Sequence, residues 1–250
     1  MPRYYTLSAL ALRVKPSGES NREAWFLTAE EGLVRATVFG GAKSRLRSQV
    51  APFHEGNLII YHDPVKDSRK VTDFDVHLWR PGIRELWERA ATAGALAETV
   101  LFSQGGGGNW PEALKLTGLS LDALETASAE ACSRIAVYFL WHWTRILGIK
   151  PDLSSCASCQ KEAKHEDFLW YSNKKEAFFC EKCVQNPDSL LFISPGGRLW
   201  LTEIEFLHPT ALKTPEKWPT DAVSMQQAKA LSQAVLMGAL GKRLQTWDIL

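Results

Sequence analysis

The first 80 residues alternate short apolar runs with turn residues. The runs are rich in β-branched and aromatic side chains, and turn signals such as Pro16-Ser17-Gly18 and Asp63-Pro64 separate them, a pattern typical of strands. The predicted strands are residues 4–14, 25–28, 33–39, 57–61 and 70–79. Five short strands without an intervening helix indicate a small closed barrel of the oligonucleotide/oligosaccharide-binding (OB) type.

A helical period replaces this pattern after Pro81-Gly82. Apolar residues then recur three and four positions apart, which predicts amphipathic helices. The predicted helices are residues 83–102, 113–124, 129–147 and 222–240. Residues 198–206 have a β-like composition instead, and the glycines at 105–108 are interpreted as a flexible break between two helices.

Together these patterns predict an α+β protein in three parts. The OB barrel occupies residues 1–80, and an all-helical domain comprises residues 81–151 and 188–250. A cysteine module, residues 152–187, is inserted into the helical domain. Within the module, residues 168–171 and 177–180 are predicted to pair as a hairpin.

The charge balance limits the ways in which this chain can bind a polyanion. Its formal net charge is +1, so a nucleic-acid site must be a local basic patch rather than a uniformly basic surface. The longest apolar run, near residues 131–147, contains Arg134, His142 and Arg145 and is therefore a poor membrane span. We expect a cytoplasmic protein, with no membrane partner.

Four cysteines form two close pairs, Cys156-x2-Cys159 and Cys180-x2-Cys183, separated by 20 residues. Two such knuckles can place four thiolates in a tetrahedron about 2.3 Å from one zinc ion. The spacing predicts a structural Zn²⁺ site, one per chain, without the open position that a catalytic zinc needs. An iron–sulfur cluster and four reduced thiols around an empty site are the alternatives. Cys132 is expected to be a small buried side chain.

A basic stretch without any acidic residue extends from Gly32 to His54. Its cations are Arg35, Lys43, Arg45 and Arg47. Alternating cations after a glycine turn can meet successive phosphates, although a solvated surface loop is the alternative. A smaller cluster is Lys66, Arg69 and Lys70, and Arg13 and Lys15 end the first strand. Tyr4, Tyr5, Trp25, Phe39 and Phe53 can either stack on bases or fill the barrel core.

The sequence carries no motif for catalysis. No nucleophile elbow is present, and the glycines at 105–108 are not followed by the Lys-Ser/Thr of a phosphate-binding loop. His142, on an apolar helix, is interpreted as a core histidine. The expectation is a protein that is not an enzyme.

Residues 12–61 resemble the corresponding part of bacterial RecO recombination mediators. The shared features are a Gly-Glu turn, Glu31-Gly32-Leu33, a glycine-led loop with Lys43-Ser44-Arg45, and Pro52-Phe53. A second similarity is RILGIKPDLSSCASC at residues 145–159, where a helix end leads into the first cysteine knuckle. The basic loop is shorter and less basic here than in many members of that family.

The resemblance implies a role in DNA repair and recombination. RecO proteins bind single- and double-stranded DNA, anneal complementary strands, and act with RecR to load RecA onto DNA coated by single-stranded-DNA-binding protein (SSB). A nucleoid-associated location follows from such a role. By position, the implied DNA-binding residues are Arg13, Arg35, Lys43, Arg45 and Arg47, with a looser match at Arg69 and Lys70.

The resemblance also implies a receptor for the acidic, apolar-tipped C-terminal tail of SSB. The helices supply apolar faces for it, and the candidate rim charges are Arg84, Arg89, Arg134 and Arg145. A competing hypothesis is a zinc-stabilised scaffold that binds a peptide or a protein subunit. A strong dependence of binding on salt would favour DNA over the scaffold.

Overall fold

The computed structural model describes residues 3–40, 44–214 and 222–249 of this 250-residue chain. The chain divides into two units, Met1–Thr126 and Ala127–Leu250. The first unit holds a barrel and two long helices, and the second holds further helices and the cysteine module. The three-part division at residues 80 and 151 stays a prediction.

The first unit begins with a closed five-stranded barrel, as predicted. Its strands are β1 (Tyr4–Ser17), β2 (Asn21–Thr28), β3 (Gly32–Val38), β4 (Glu55–Asp63) and β5 (Ser68–Leu78). Their order around the barrel is β1-β2-β3-β5-β4, and only the β3–β5 pairing is parallel. Strand alternation directs Leu7, Phe26 and Phe74 into the barrel core, so the intervening residues face outward.

A short helix, α1 (Arg45–Gln49), lies between β3 and β4, where the sequence analysis expected an irregular basic loop. The expectation was wrong because the segment is anchored. The Arg22 guanidinium donates hydrogen bonds to the carbonyls of Leu46 (3.2 Å) and Val50 (3.3 Å), and the Val50 side chain is fully buried. The basic residues of this segment therefore sit on a helical turn.

Two helices pack against the barrel within the first unit. The predicted helix at 83–102 divides into a 3₁₀ turn (Pro81–Arg84) and α2 (Trp87–Phe102), and α3 (Trp110–Leu124) follows. A left-handed backbone run from Gln104 to Gly108 joins α2 to α3, with φ from 51° to 124°. Such a run needs glycine, so the predicted flexible break is a defined turn.

Arg80 connects the barrel to α3. Its guanidinium donates to the Glu55 carboxylate at the start of β4 (2.6 Å) and to the Asp122 carboxylate on α3 (2.6 Å). It also donates to the backbone carbonyls of Phe53 (2.9 Å) and Gly118 (3.4 Å), and only 2% of the side chain is exposed. Because buried charges are tolerated only when they are paired, this cluster fixes the helices to one end of the barrel.

The second unit is centred on α4 (Ala129–Ile146), which contacts both α6 (Ala222–Leu240) and α5 (Pro195–Ile204). Trp141 and Trp143 are fully buried on α4, and His142 bonds through Nε2 to the Ile204 carbonyl (3.2 Å), as expected of a core histidine. Burial lowers the pKa of His142. None of the helices in the described ranges is long and apolar enough to cross a membrane.

The β-like prediction for residues 198–206 was wrong, because α5 occupies most of that segment. Ser194 caps the helix by accepting a hydrogen bond from the Gly197 amide (3.2 Å), and Pro195 fits its first turn. Trp200, Leu201 and Ile204 recur at helical spacing and are fully buried. Tertiary burial of this face outweighs the modest β propensity of the segment.

The hairpin of the cysteine module is part of a three-stranded sheet. The predicted hairpin is present as β6 (Leu169–Ser172) and β7 (Ala177–Cys180), and β8 (Leu191–Ile193) adds to it in the order β7-β6-β8. Arg198 of α5 donates to four carbonyls in the segment before the hairpin, those of Leu153, Ala163, Lys164 and Asp167. The module is therefore held to α5 by one arginine that the sequence analysis did not identify.

The Arg80 cluster generates a stability prediction. Arg80→Ala leaves two carboxylates and two carbonyls without their shared donor, so the free energy of unfolding should fall by about 2–4 kcal/mol. A urea titration measures this decrease. Arg84→Ala, an exposed arginine four residues further on, is the control and should change stability by less than about 0.5 kcal/mol. An Arg80→Ala protein that unfolds at the parent's urea midpoint would contradict the assigned role.

Candidate nucleic-acid interface and metal centre

Trp25 lies at the centre of a basic row on the outer face of the barrel. It pairs across the sheet with Arg13 of β1 and with Arg35 of β3. The Arg13 guanidinium carbon and the Lys15 Nζ each lie 5.9 Å from the centre of the Trp25 ring, within cation–π range. Two cations thus lie at one half-buried aromatic ring and Arg35 is on the neighbouring strand, an arrangement suited to a base and its flanking phosphates.

Several of the predicted cations form ion pairs with carboxylates that the sequence analysis did not consider. Arg35 Nε lies 3.2 Å from Glu23, and Arg69 Nη2 lies 3.0 Å from Glu31. On α1, Arg45 Nη2 contacts both oxygens of Asp73, at 3.1 and 3.2 Å. The Arg35 and Arg45 side chains remain 66% and 74% exposed, so a phosphate can compete for both.

The other predicted cations differ in their surroundings. Lys43 lies outside the described residues. Arg13 and Arg47 are exposed, and Lys70 is half-buried with its Nζ 5.3 Å from the centre of the Phe39 ring. Within the described part of the chain, these three make no ion pair.

The candidate stacking residues divide into two groups. Tyr5 packs against the barrel core, and burial raises the pKa of its hydroxyl group, so it is not a platform. Tyr4 and Phe39 are 60% and 45% exposed. Tyr61 was missed by the sequence analysis, although strand alternation after the buried Ile60 directs it outward.

The four predicted cysteines meet in one cluster. The Sγ atoms of Cys156, Cys159, Cys180 and Cys183 all lie within 4.8 Å of one another. The Ala157 amide donates to the Phe178 carbonyl (2.9 Å), which ties the first knuckle to β7, and the Cys183 amide donates to the Cys180 carbonyl (2.9 Å), which closes the second. This donor set can hold one metal ion.

The electrostatic environment of the thiols favours a cation bound between them. Burial raises the pKa of Cys156, but backbone amides of Cys159, Cys180 and Ser158 stabilise its thiolate and lower the pKa to about 6. The neighbouring sulfurs of Cys180 and Cys159 raise the pKa of Cys183 to about 12. Four sulfurs this close cannot all ionise without a positive charge between them, and a metal ion supplies that charge.

The candidate rim charges for an acidic tail are not equivalent. Arg89 donates to the carbonyls of Gly82 (3.0 Å) and Glu125 (2.9 Å), and Arg134 Nε donates to the Leu212 carbonyl (2.7 Å). Arg145 lines a cavity of about 280 Å³ together with Trp141, His142, Lys150, Glu205 and Phe206. Lys150 forms an ion pair with Glu205 there.

A closed OB-like barrel, helices and a four-cysteine cluster together define an α+β protein. Residues 1–76 match the family described as Recombination protein O N terminal, and residues 84–246 match Recombination protein O C terminal. The chain therefore belongs to the RecO family.

Proteins named DNA repair protein RecO are among its relatives. That of Synechococcus sp. (strain JA-3-3Ab) is 26% identical over 189 residues, which cover 72% of this chain and 62% of the relative. A second, from Synechococcus sp. (strain JA-2-3B'a(2-13)), is 23% identical over 226 residues, or 86% and 78% of the two chains. For Desulforudis audaxviator (strain MP104C) the identity is 24%, over 63% and 62%. The chain thus spans less than two thirds of the first relative's length.

Proposed function

We propose that this chain is a DNA-binding protein of recombinational repair that acts without turning over a substrate. It binds single- and double-stranded DNA through its barrel and anneals complementary strands. With RecR, it helps to load RecA onto DNA coated by SSB. Membership of the RecO family supports this role, and the relatives carry the name DNA repair protein.

The observation that carries the proposal is the row Arg13–Trp25–Arg35 across three barrel strands. An aromatic face stacks on any base, and the flanking cations meet phosphates, so binding does not depend on sequence. Bound cations also screen the repulsion between two incoming strands, which accounts for annealing. The chemistry of the metal site agrees, because four thiolates leave no open coordination position for substrate.

The proposed partners follow from the same family. We assign the SSB tail to the cavity beside Arg145, where an acidic peptide with an apolar tip meets Arg145, Trp141 and the exposed Phe206. The alternative is a zinc-stabilised interaction scaffold. Phe168 of the cysteine module and Phe192 of β8 favour it, since they are 47% and 48% exposed with their rings 6.5 Å apart.

We further propose that the metal is structural zinc, held by Cys156, Cys159, Cys180 and Cys183. Zinc neutralises the thiolates and clamps two knuckles in a module with a small core of its own. The hydrogen bond from Ala157 to β7 and the contacts of Arg198 on α5 supply further restraints on the module. In this proposal the ion supports the fold and does not contact DNA.

The proposed DNA binding predicts a defined salt dependence. For single strands, each phosphate that a protein cation neutralises contributes about 0.7 to the log–log slope of affinity against salt. Replacing Arg13, Lys15 and Arg35 with alanine should therefore reduce the slope by roughly 2 and slow annealing in parallel. Anisotropy titrations of labelled single strands at several salt concentrations measure the slope. A second variant with Lys43, Arg45 and Arg47 replaced tests the other predicted basic segment separately.

The control for both triple variants is Arg84→Ala with Lys115→Ala, which removes exposed cations from the helices of the same unit. It should leave slope and annealing unchanged. If both triple variants bind like the parent, the DNA proposal fails. Weak salt dependence together with tight peptide binding would favour the scaffold.

The internal ion pairs predict that removing one carboxylate strengthens DNA binding. Asp73→Asn releases Arg45 to a phosphate, so affinity should rise several-fold and the salt slope should increase by about 0.7. The same titration measures both quantities. Asp75→Asn is the matched control, because it removes an equal charge from β5, and among the described residues no ion pair involves Asp75. An equal rise in both variants would assign the effect to net charge alone.

The metal proposal predicts one zinc per chain in freshly purified protein, measured by elemental analysis. Cys156→Ser and Cys180→Ser should each lose the ion and lower the melting temperature, because metal binding contributes to folding of the module. Cys132→Ala is the control and should retain full zinc, since Cys132 is buried on α4, outside the cluster. Iron in place of zinc, or half occupancy in Cys132→Ala, would show the assignment to be wrong.

A further inference from the structure

The strand register extends the aromatic and basic surface beyond the row at Trp25. Going round the barrel, successive cross-strand partners form one outward-facing row, consisting of Lys15, Glu23, Thr37, Lys70, Tyr61 and Tyr4. The row starts on β1, crosses β2, β3, β5 and β4, and returns to β1. The core side chains alternate with it, since Ala24, Val38, Val71 and Ile60 point inward.

The far end of this row is an aromatic cluster with one cation. The rings of Tyr4 and Tyr61 are tilted by 57° with their centres 5.0 Å apart. Lys70 Nζ lies 5.9 Å from the centre of the Tyr61 ring and 5.3 Å from that of Phe39, so it bridges two aromatic faces. Tyr4 and Phe39 are 60% and 45% exposed, which is more than sheet packing alone requires.

We propose that Tyr4, Tyr61, Phe39 and Lys70 form a second base-stacking subsite, which extends the path of a single DNA strand from Trp25 around the β3–β5 seam. This inference rests on the proposed function and adds a defined second binding region to it. The exposed rings stack on unpaired bases, and Lys70 contacts the intervening phosphate. A duplex cannot use the subsite, because its bases are already stacked on each other.

The dimensions fit a continuous path. Neighbouring strands lie about 4.8 Å apart, so the four steps from β2 to β1 through β3, β5 and β4 cover about 19 Å. OB barrels bind roughly 4–16 nucleotides, and a strand of about 16 spans both subsites, whereas one of about 3 is too short to reach both. Thr37 lies between them, and Glu23 is engaged with Arg35.

A purely structural role for the tyrosines is the competing explanation. Cross-strand aromatic pairs stabilise a sheet whether or not a ligand binds. The two explanations differ in their dependence on oligonucleotide length. A less stable sheet weakens binding of every ligand, whereas removal of a distal subsite affects only ligands long enough to reach it.

The test compares labelled single strands of about 3 and about 16 nucleotides on the full chain. Tyr4→Ala combined with Tyr61→Ala should weaken binding of the long strand about tenfold, and it should change binding of the short strand or a duplex by less than about twofold. The salt slope should stay constant for this variant. Lys70→Ala should lower the slope for the long strand by about 0.7.

Two further variants separate stacking from folding. Tyr61→Phe keeps a ring at this position and should bind the long strand like the parent, whereas Tyr4→Ala alone removes an exposed ring and should preserve the melting temperature. Trp87→Ala, 60% exposed on α2, is the control for removal of an exposed aromatic residue and should also bind like the parent. Long-strand affinity that stays at the parent's level in the double variant overturns the subsite.

Equally weakened binding of both strand lengths, together with a lower melting temperature in Tyr4→Ala, would also overturn it, in favour of the structural role. The proposed function is tested separately by the parent protein. A parent that binds no single strand overturns both proposals, whereas a parent that binds both lengths and is insensitive to the tyrosines overturns the subsite alone.

Discussion

The buried guanidinium of Arg80 is the constraint on which the arrangement of the first unit depends. It donates hydrogen bonds to a carboxylate and a carbonyl at or just before the start of β4, those of Glu55 and Phe53. It also donates to a carboxylate and a carbonyl on α3, those of Asp122 and Gly118. Arg80 adopts a left-handed backbone conformation, with φ of 46°, which is unfavourable for a residue with a side chain. The four partners hold it there, and the helices are consequently fixed to the end of the barrel that Glu55 occupies.

Electrostatic balance within the barrel explains how a chain of net charge +1 can present a basic surface. Three surface arginines each form an ion pair with one carboxylate, that of Glu23, Glu31 or Asp73. The Trp25 ring has cation–π contacts with Arg13 and Lys15. The ion pairs already orient these arginines. A phosphate can therefore replace the carboxylate as the partner without the entropy cost of ordering a long side chain. In the proposed DNA-binding role, such pairing would lower the affinity for phosphate.

The sequence predicted the parts of this structure that depend on local patterns. Alternating apolar residues indicated all five barrel strands, and the two Cys-x2-Cys pairs indicated a cluster that can hold a metal ion. The predictions were wrong where contacts between residues distant in sequence determine the local structure. Residues 198–204 are helical because Trp200 and Ile204 are buried, and residues 45–49 form a helical turn because Arg22 binds carbonyls of that segment. The pairing of Tyr61 with Tyr4 and the carboxylates beside Arg35 and Arg45 depended on strand register, which a single sequence does not reveal.

The closure of the barrel has a consequence for how the chain folds. The hairpins β1–β2 and β4–β5 join neighbouring segments, whereas the β1–β4 pairing brings Tyr4 to Tyr61 across most of the barrel sequence. Pairings between distant residues form slowly, because the chain gives up loop entropy before they stabilise it. We therefore expect this seam to gain amide protection last in pulsed hydrogen exchange during refolding. During folding, the surface around Trp25 and its cations would therefore form before Tyr4 pairs with Tyr61.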